Sequence, residues 1–197
     1  MSTGTPEQAR AVLDFWFGEP ESKGYGTQHK TWFSKDNAFD QTIRDRFGPV
    51  IEQALRGEFE AWAGEPHAAL AEIILLDQFT RNAFRDTARA FAGDARALGV
   101  ASAMVGARGD EELPPFMRAF VYMPFEHAEG VGMQDEAVRL FTRLAATDPE
   151  QADWLDYAYR HRAVIERFGR FPHRNDSLGR QSTAEEIAYL KEPGSGF

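Results

Sequence analysis

The apolar positions of this chain recur at helical spacing from end to end. Trp154, Ala158, His161, Ile165 and Phe168 step by four, three, four and three, which lines one face of a helix. Val138, Phe141 and Leu144 or Ala145 repeat the pattern one helix earlier. From Ala69 to Phe79 the residues are apolar nearly all round, so that helix is expected at the centre of the protein. No segment sustains two-residue alternation, so the fold class is all-α. The spacing predicts helices over 6–17, 36–56, 66–84, 93–107, 114–123, 133–146, 149–168 and 183–191. Short connections between many of them favour antiparallel helical hairpins.

The predicted helix ends carry their own chemistry. In TPEQA (5–9) and DPEQA (148–152), Thr5 or Asp148 can accept from the free N–H groups of the first turn, and Pro supplies its φ. Ser182-Thr183-Ala184-Glu185 reads as a capping box. Gly169 follows the last apolar residue of its helix, the usual place for a left-handed C-terminal cap. Phe171 precedes Pro172 and is expected to be extended. No fixed internal period and no linker-grade segment divides the chain, so residues 1–197 read as a single all-helical domain.

Composition narrows the function classes. The chain is 43% hydrophobic, with sixteen Phe and four Trp, enough for a substantial core. Its net charge of −9 repels phosphate backbones, which argues against nucleic acid or an anionic membrane as partner. Cysteine is absent, which excludes disulfides, thiolate metal sites and cysteine nucleophiles. The N-terminal MSTGTPEQARAVLDFWFG is interrupted by Arg10 and Asp14 and reads as a helix, not a signal peptide. No apolar run approaches the roughly 20 residues of a membrane span. Cytoplasmic residence is the expectation.

Three polar constellations stand out. On the central helix, Asp77, Gln78, Arg81, Asn82 and Arg85 fall within an arc of about 140° at 100° per residue. They form either a solvent face with an Asp77–Arg81 pair or a buried stripe lining a cavity. The second is YMPFEHAEG (122–130), where Glu126, His127 and Glu129 could pair as acid and base. It lacks the two-His helical spacing of a zinc motif, so no metal or cofactor is expected. Pro124 and Gly130 suggest a bend there. The third is RFGRFPHRNDSLGR (167–180), four arginines against one aspartate, with His173 and Asn175. Arginine forks suit a carboxylate or phosphate, or else the protein's own carbonyls and acids. His161, on the apolar seam, is either a satisfied core residue or a general base.

Several stretches resemble the bacterial family called domain of unknown function 924. They are VLDFWFG (12–18), WFSKDNAFDQTIRDRF (32–47), LLDQFTRNAFRDTARAFAGDARAL (75–98), YMPFEHAEGVGMQ (122–134), HRAVIERFGRFPHRNDSLGRQSTAEEIAYL (161–190) and the ending PGSGF. The likeness covers nearly the whole chain; Ala128 stands where the family pattern has Ser. It implies a tetratricopeptide-like α-α superhelix and carries no activity. The polar residues of the family pattern are Asp77, Gln78, Arg81 and Asn82; Tyr122, Glu126, His127 and Glu129; and His161, Arg170, His173, Arg174 and Asn175. Their overlap with the three constellations favours one shared site.

Three readings follow. In the first, a concave polar pocket binds a small anionic molecule or an acidic peptide end, clamped by Arg81, Arg170 and Arg174. In the second, a hydrolase-type enzyme uses His127 or His173 as base, with Glu126 or Glu129 orienting it. In the third, these groups only lock irregular helix joints, and the protein has no small-molecule site. Helical arrays often form homodimers, but no residue pattern identifies an interface.

Overall fold

The structure, a computed structural model, describes residues 5–26, 32 and 35–196. The regular elements among these residues are all helices, with no strand. The helices are α1 (Glu7–Phe17), α2 (Asn37–Arg56), α3 (Pro66–Ile73), α4 (Thr80–Ala83), α5 (Asp94–Gly106), α6 (Pro115–Glu126), α7 (Val131–Thr147), α8 (Ala152–Phe168) and α9 (Ala184–Tyr189). Between α3 and α4 the chain keeps winding as a π turn, Ile74–Phe79. The predicted helix over 66–84 is therefore one rod with a widened middle. No described helix is long and apolar enough to cross a membrane.

Local chemistry explains most of the ends. The Asp36 carboxylate accepts from Ala38 and Phe39 N–H and starts α2, and Glu65 does the same for α3 through His67 and Ala68. Gly169 closes α8 at φ 69°, its N–H bonding the Ile165 carbonyl, and Phe171 is extended. Two expected caps are corrected. Thr5 does not cap α1, where Pro6 holds the N-cap place with no side-chain hydrogen bond. The capping box of α9 sits one residue later, on Thr183 and Glu186. The shift follows burial: Glu186 is 2% exposed and grips Arg170, whereas Glu185 is exposed and pairs with Arg167. The helix predicted to end at 123 is also corrected, because α6 runs through Pro124 to Glu126.

The core is aromatic and centres on Phe120. Its ring lies within 6 Å of Trp16, Phe17, Trp32 and Trp154, mostly edge to face. Such pairs add about 0.5–1.5 kcal/mol beyond the area they bury. Every residue of the π turn is buried. A second, small cluster joins Val164, Ile165 and Phe171 with Phe168 and Tyr189. It packs the stretch after α8 against α9.

Two donors and one glycine accompany the π turn. Thr80 Oγ1 donates to the Leu76 carbonyl at 2.7 Å, and Arg81 Nη1 to the Asp77 carbonyl at 2.7 Å. Side-chain donors of this kind compete with the backbone ladder and open it. Gly93 lies beside the same turn, where an added Cβ would stand 2.2 Å from the Leu76 oxygen. The close approach brings the start of α5, with Asp94, against Arg81.

Candidate functional site

Asp77, in the π turn, has no exposed surface and accepts from three side chains. His127 Nδ1 lies 2.8 Å from Oδ1, Arg81 Nη1 3.0 Å from Oδ1, and Gln78 Nε2 2.7 Å from Oδ2. Burial raises the carboxyl's pKa, but Arg81 and His127 outweigh it and hold Asp77 well below the usual carboxylate range. Asp77 is thus an anion, and His127 Nδ1 is the donor to it. No described residue bonds Nε2 of the same ring. Burial pushes the His127 pKa down more than Asp77 pulls it up. The imidazole is therefore neutral, with a lone pair on Nε2.

His127 is held by the end of α6. Its N–H bonds the Met123 carbonyl, and the buried Gln134 of α7 donates to the Glu126 and Ala128 carbonyls at 2.7 and 2.8 Å. Helix-terminal carbonyls need such partners. Sequence reasoning missed Gln134, a lone amide among acidic and apolar residues that gives no signal of its own.

Charge alternates across the rest of the cluster. Arg81 is shared between Asp77 and Asp94, with Nη1 2.9 Å from Asp94 Oδ1. Asp94 Oδ2 in turn accepts from Arg174 Nη1 at 3.2 Å. The Arg174 guanidinium lies 4.5 Å from the Phe171 ring centroid and 4.9 Å from that of Phe91. Burial, then Arg81, lowers its pKa to about 10, which leaves it charged at neutral pH. Its Nε is buried and has no acceptor among the described residues.

Two further imidazoles adjoin. The His161 ring stands 6.0 Å from His127 and edge-on to Phe171 at 5.5 Å. Its Nδ1 lies 2.6 Å from Glu126 Oε1 and 2.9 Å from the Tyr157 carbonyl. The His173 ring is 5.6 Å from Phe171. Burial, followed by Arg174, His161, His127 and Arg81, pushes the His173 pKa down to about 3. Asp77, Gln78, Arg81, His127, His161, His173 and Arg174 thus come together from three distant stretches.

Other expected site residues lie elsewhere. Asn82 and Arg85 both bond Asp40 of α2, so the stripe on the central helix divides between two carboxylates. Tyr122 bonds Asp110 and Arg143. Arg170 and Asn175 converge on Glu186, whose carboxyl Arg170 pulls down to about 2. Glu129 accepts from Phe171 N–H and from Arg180, fastening the 167–180 stretch to the loop after α6. Glu126 faces His161, so the carboxylate that orients His127 is Asp77 and neither Glu126 nor Glu129. All four arginines of 167–180 have internal acceptors, while Arg174 Nε is buried without one. Among the described residues no group of three or more His, Asp and Glu is placed to hold a metal ion.

These features define an all-helical protein with a partly buried chain of alternating charges that ends on the Asp77 carboxylate and the neutral His127 imidazole it holds. The chain belongs to the bacterial family of unknown function DUF924, whose sequence model matches residues 12–194. It is similar to the solved structure of ATU0120, a protein of unknown function from Agrobacterium tumefaciens. The two are 38% identical over 93% of this chain and 96% of that one, with a TM-score of 0.80. No curated protein matches.

Proposed function

We propose that this protein binds a small organic anion where Arg81, His127, His173 and Arg174 meet. The observation that carries the reading is the buried, unpaired Nε of Arg174. A buried donor left without an acceptor costs about 1–3 kcal/mol, and more in a charged group, so a bound oxyanion would relieve it. The bare Nε2 of His127 accepts, so it would take a hydroxyl or a protonated group of the ligand and leave the oxyanion to the arginines. The carboxylate end of an acidic peptide belongs to the same chemistry.

Thermal shift against a panel of small carboxylates and phosphates tests the reading. A ligand at a hundred times its Kd stabilises the fold by about 2.7 kcal/mol, which gives a readily measured rise in Tm. Arg174→Gln should remove that rise. The variant itself will be less stable than the parent, because Arg174 packs on two rings and pairs with Asp94. Absence of any shift in the parent protein, or equal shifts in the variant, would defeat the proposal.

A second reading rests on the Asp77–His127 pair. A buried carboxylate holding Nδ1 of a neutral imidazole, with Nε2 unclaimed, is the arrangement of a general base. No described hydroxyl or amine is hydrogen-bonded to Nε2, so the proton removed would come from the substrate or from water. In this reading His127→Gln removes turnover while anion binding through Arg174 survives.

A further inference from the structure

A cavity lies apart from the His127–Arg174 cluster, toward the other end of α6 and the C-terminal part of α7. Its volume is about 360 Å³, and Glu111, Arg118, Tyr122, Arg143, Leu144 and Thr147 line it. Two of these are arginines, each fixed by part of its guanidinium with another part unused. Arg118 donates from Nε to the Leu113 carbonyl and from Nη2 to the Glu111 carbonyl, both at 2.8 Å. No described residue takes its Nη1. Arg143 donates from Nη2 to Asp110 at 2.8 Å and to the Tyr122 oxygen at 3.2 Å. Its Nη1 reaches Glu111 only at 3.5 Å, and no described residue takes its Nε.

The carboxylates nearby do not cancel these edges. Glu111 divides between Arg108, whose Nη2 lies 2.7 Å from Oε2, and Arg143, whose Nη1 lies 3.5 Å from Oε1, so neither of the free edges named above is taken by it. Asp110 has no exposed surface and uses a single oxygen, Oδ2, to hold both the Tyr122 hydroxyl and Arg143. It anchors the two side chains from behind the cavity wall. Tyr122 stays protonated, its pKa pushed up to about 12 by burial and Asp110, and donates to that anchor. Leu144 and Thr147, which follow Arg143 on α7, complete the lining.

We infer that this cavity is a binding site for a small organic oxyanion, its head between Arg118 and Arg143 and its apolar body on Leu144 and Thr147. Preordered guanidinium edges suit a carboxylate or a phosphate monoester. Size limits the body to about one ring. The volume is near the lower end of ligand sites, at roughly 300 Å³, and a cavity of about 150 Å³ already holds benzene. The inference does not depend on the reading of the His127–Arg174 cluster.

Calorimetry and amide chemical shifts with three probes test it: benzoate, phenyl phosphate and uncharged benzyl alcohol. At least one of the two anions should bind saturably, and benzyl alcohol at least about tenfold more weakly. The tighter anion identifies the head group. Thr147 is exposed, so Thr147→Trp should fill the cavity without disturbing the core and weaken anion binding at least about tenfold. Arg143→Lys, which keeps the charge and loses the fork, should weaken it as well. Arg174→Gln should leave it unchanged. Failure of both anions to bind, insensitivity to Thr147→Trp, benzyl alcohol binding as tightly as the anions, or loss of binding in Arg174→Gln would each overturn the inference.

Discussion

Gly93 leaves no room for a side chain against Leu76. An added Cβ would stand 2.2 Å from the Leu76 carbonyl oxygen and 2.9 Å from its carbonyl carbon and Cα. These are backbone atoms of the buried π turn, so a rotamer change cannot relieve the contact. Gly93→Ala should therefore cost more than about 3 kcal/mol, measured as the shift in urea midpoint. Gly99, inside α5, has nothing within 4 Å of its added Cβ. Gly99→Ala should stabilise by about 0.5–1 kcal/mol, because alanine loses less entropy in a helix. Equal effects of the two substitutions would contradict the close approach.

Asp77 and His127 should behave as a coupled pair. Asp77→Asn leaves His127 without its anion and Arg81 with Asp94 alone, a loss of about 3–5 kcal/mol for a broken buried pair. A double-mutant cycle with His127→Gln should give a coupling of about 0.5–3 kcal/mol. Nitrogen NMR of the ring at pH 7 should show Nδ1 protonated and Nε2 bare. An Nε2-protonated ring would remove the basis for the general-base reading.

Acid should destabilise this protein before its carboxylates titrate. His173 has a pKa of about 3 in the folded state, against about 6.5 when unfolded. Between those values the unfolded chain binds a proton that the folded protein does not. Stability is complete above about pH 6.5 and declines as the pH falls toward about 3, with a limit of about 1.4 kcal/mol per pH unit for one proton. His127, also lowered, acts in the same direction. Asp77 adds stability above its unfolded value of about 3.9 and loses it as the pH falls through its lower folded value. Urea midpoints between pH 7.5 and 5 should fall in the parent and fall less in His173→Gln. Parallel slopes would show that His173 charges freely in the folded protein.

The α9 cap makes a sharper test of register. Thr183 Oγ1 accepts from Glu186 N–H, and the Glu186 carboxylate accepts from Thr183 N–H. Thr183→Ala should cost about 1 kcal/mol. Glu186→Ala should cost more, since it also releases Arg170 and Asn175. Glu185→Ala, which loses only an exposed pair, should stay within about 0.5 kcal/mol. Hydrogen exchange of the α9 amides would show where protection is lost.

Much of this architecture was legible in the sequence. Apolar spacing located the seam of α8 on Trp154, Ala158, His161 and Ile165, all of which are buried. Gly169 and Pro172 fixed the turn that follows. The π turn was hidden because a segment buried on every side carries no phase: Ile74 to Leu76 read the same in either winding. Asp94 and Asp40 were missed for a related reason. An acid in the first turn of a helix has an ordinary local explanation, and only the fold reveals the arginine opposite. The α9 register slipped because STAEE offers Ser-x-x-Glu and Thr-x-x-Glu in succession, and burial against Arg170 chooses the second. Asn82, Tyr122, Arg170 and Asn175 were expected in one place with the others and are drawn away by Asp40, Asp110 and Glu186, partners that local spacing does not show.

The widened winding at Ile74–Phe79 makes the number of residues in this segment as consequential as their identity. A helix turns by about 100° per residue. Winding the same residues as a plain α-helix would rotate everything after the segment by about that angle. Arg81 would leave Asp94 and Asn82 would leave Asp40 in the same step, although no side chain had been altered. The two carboxylate networks therefore share a single length constraint, set by one extra residue in the most deeply buried part of the chain.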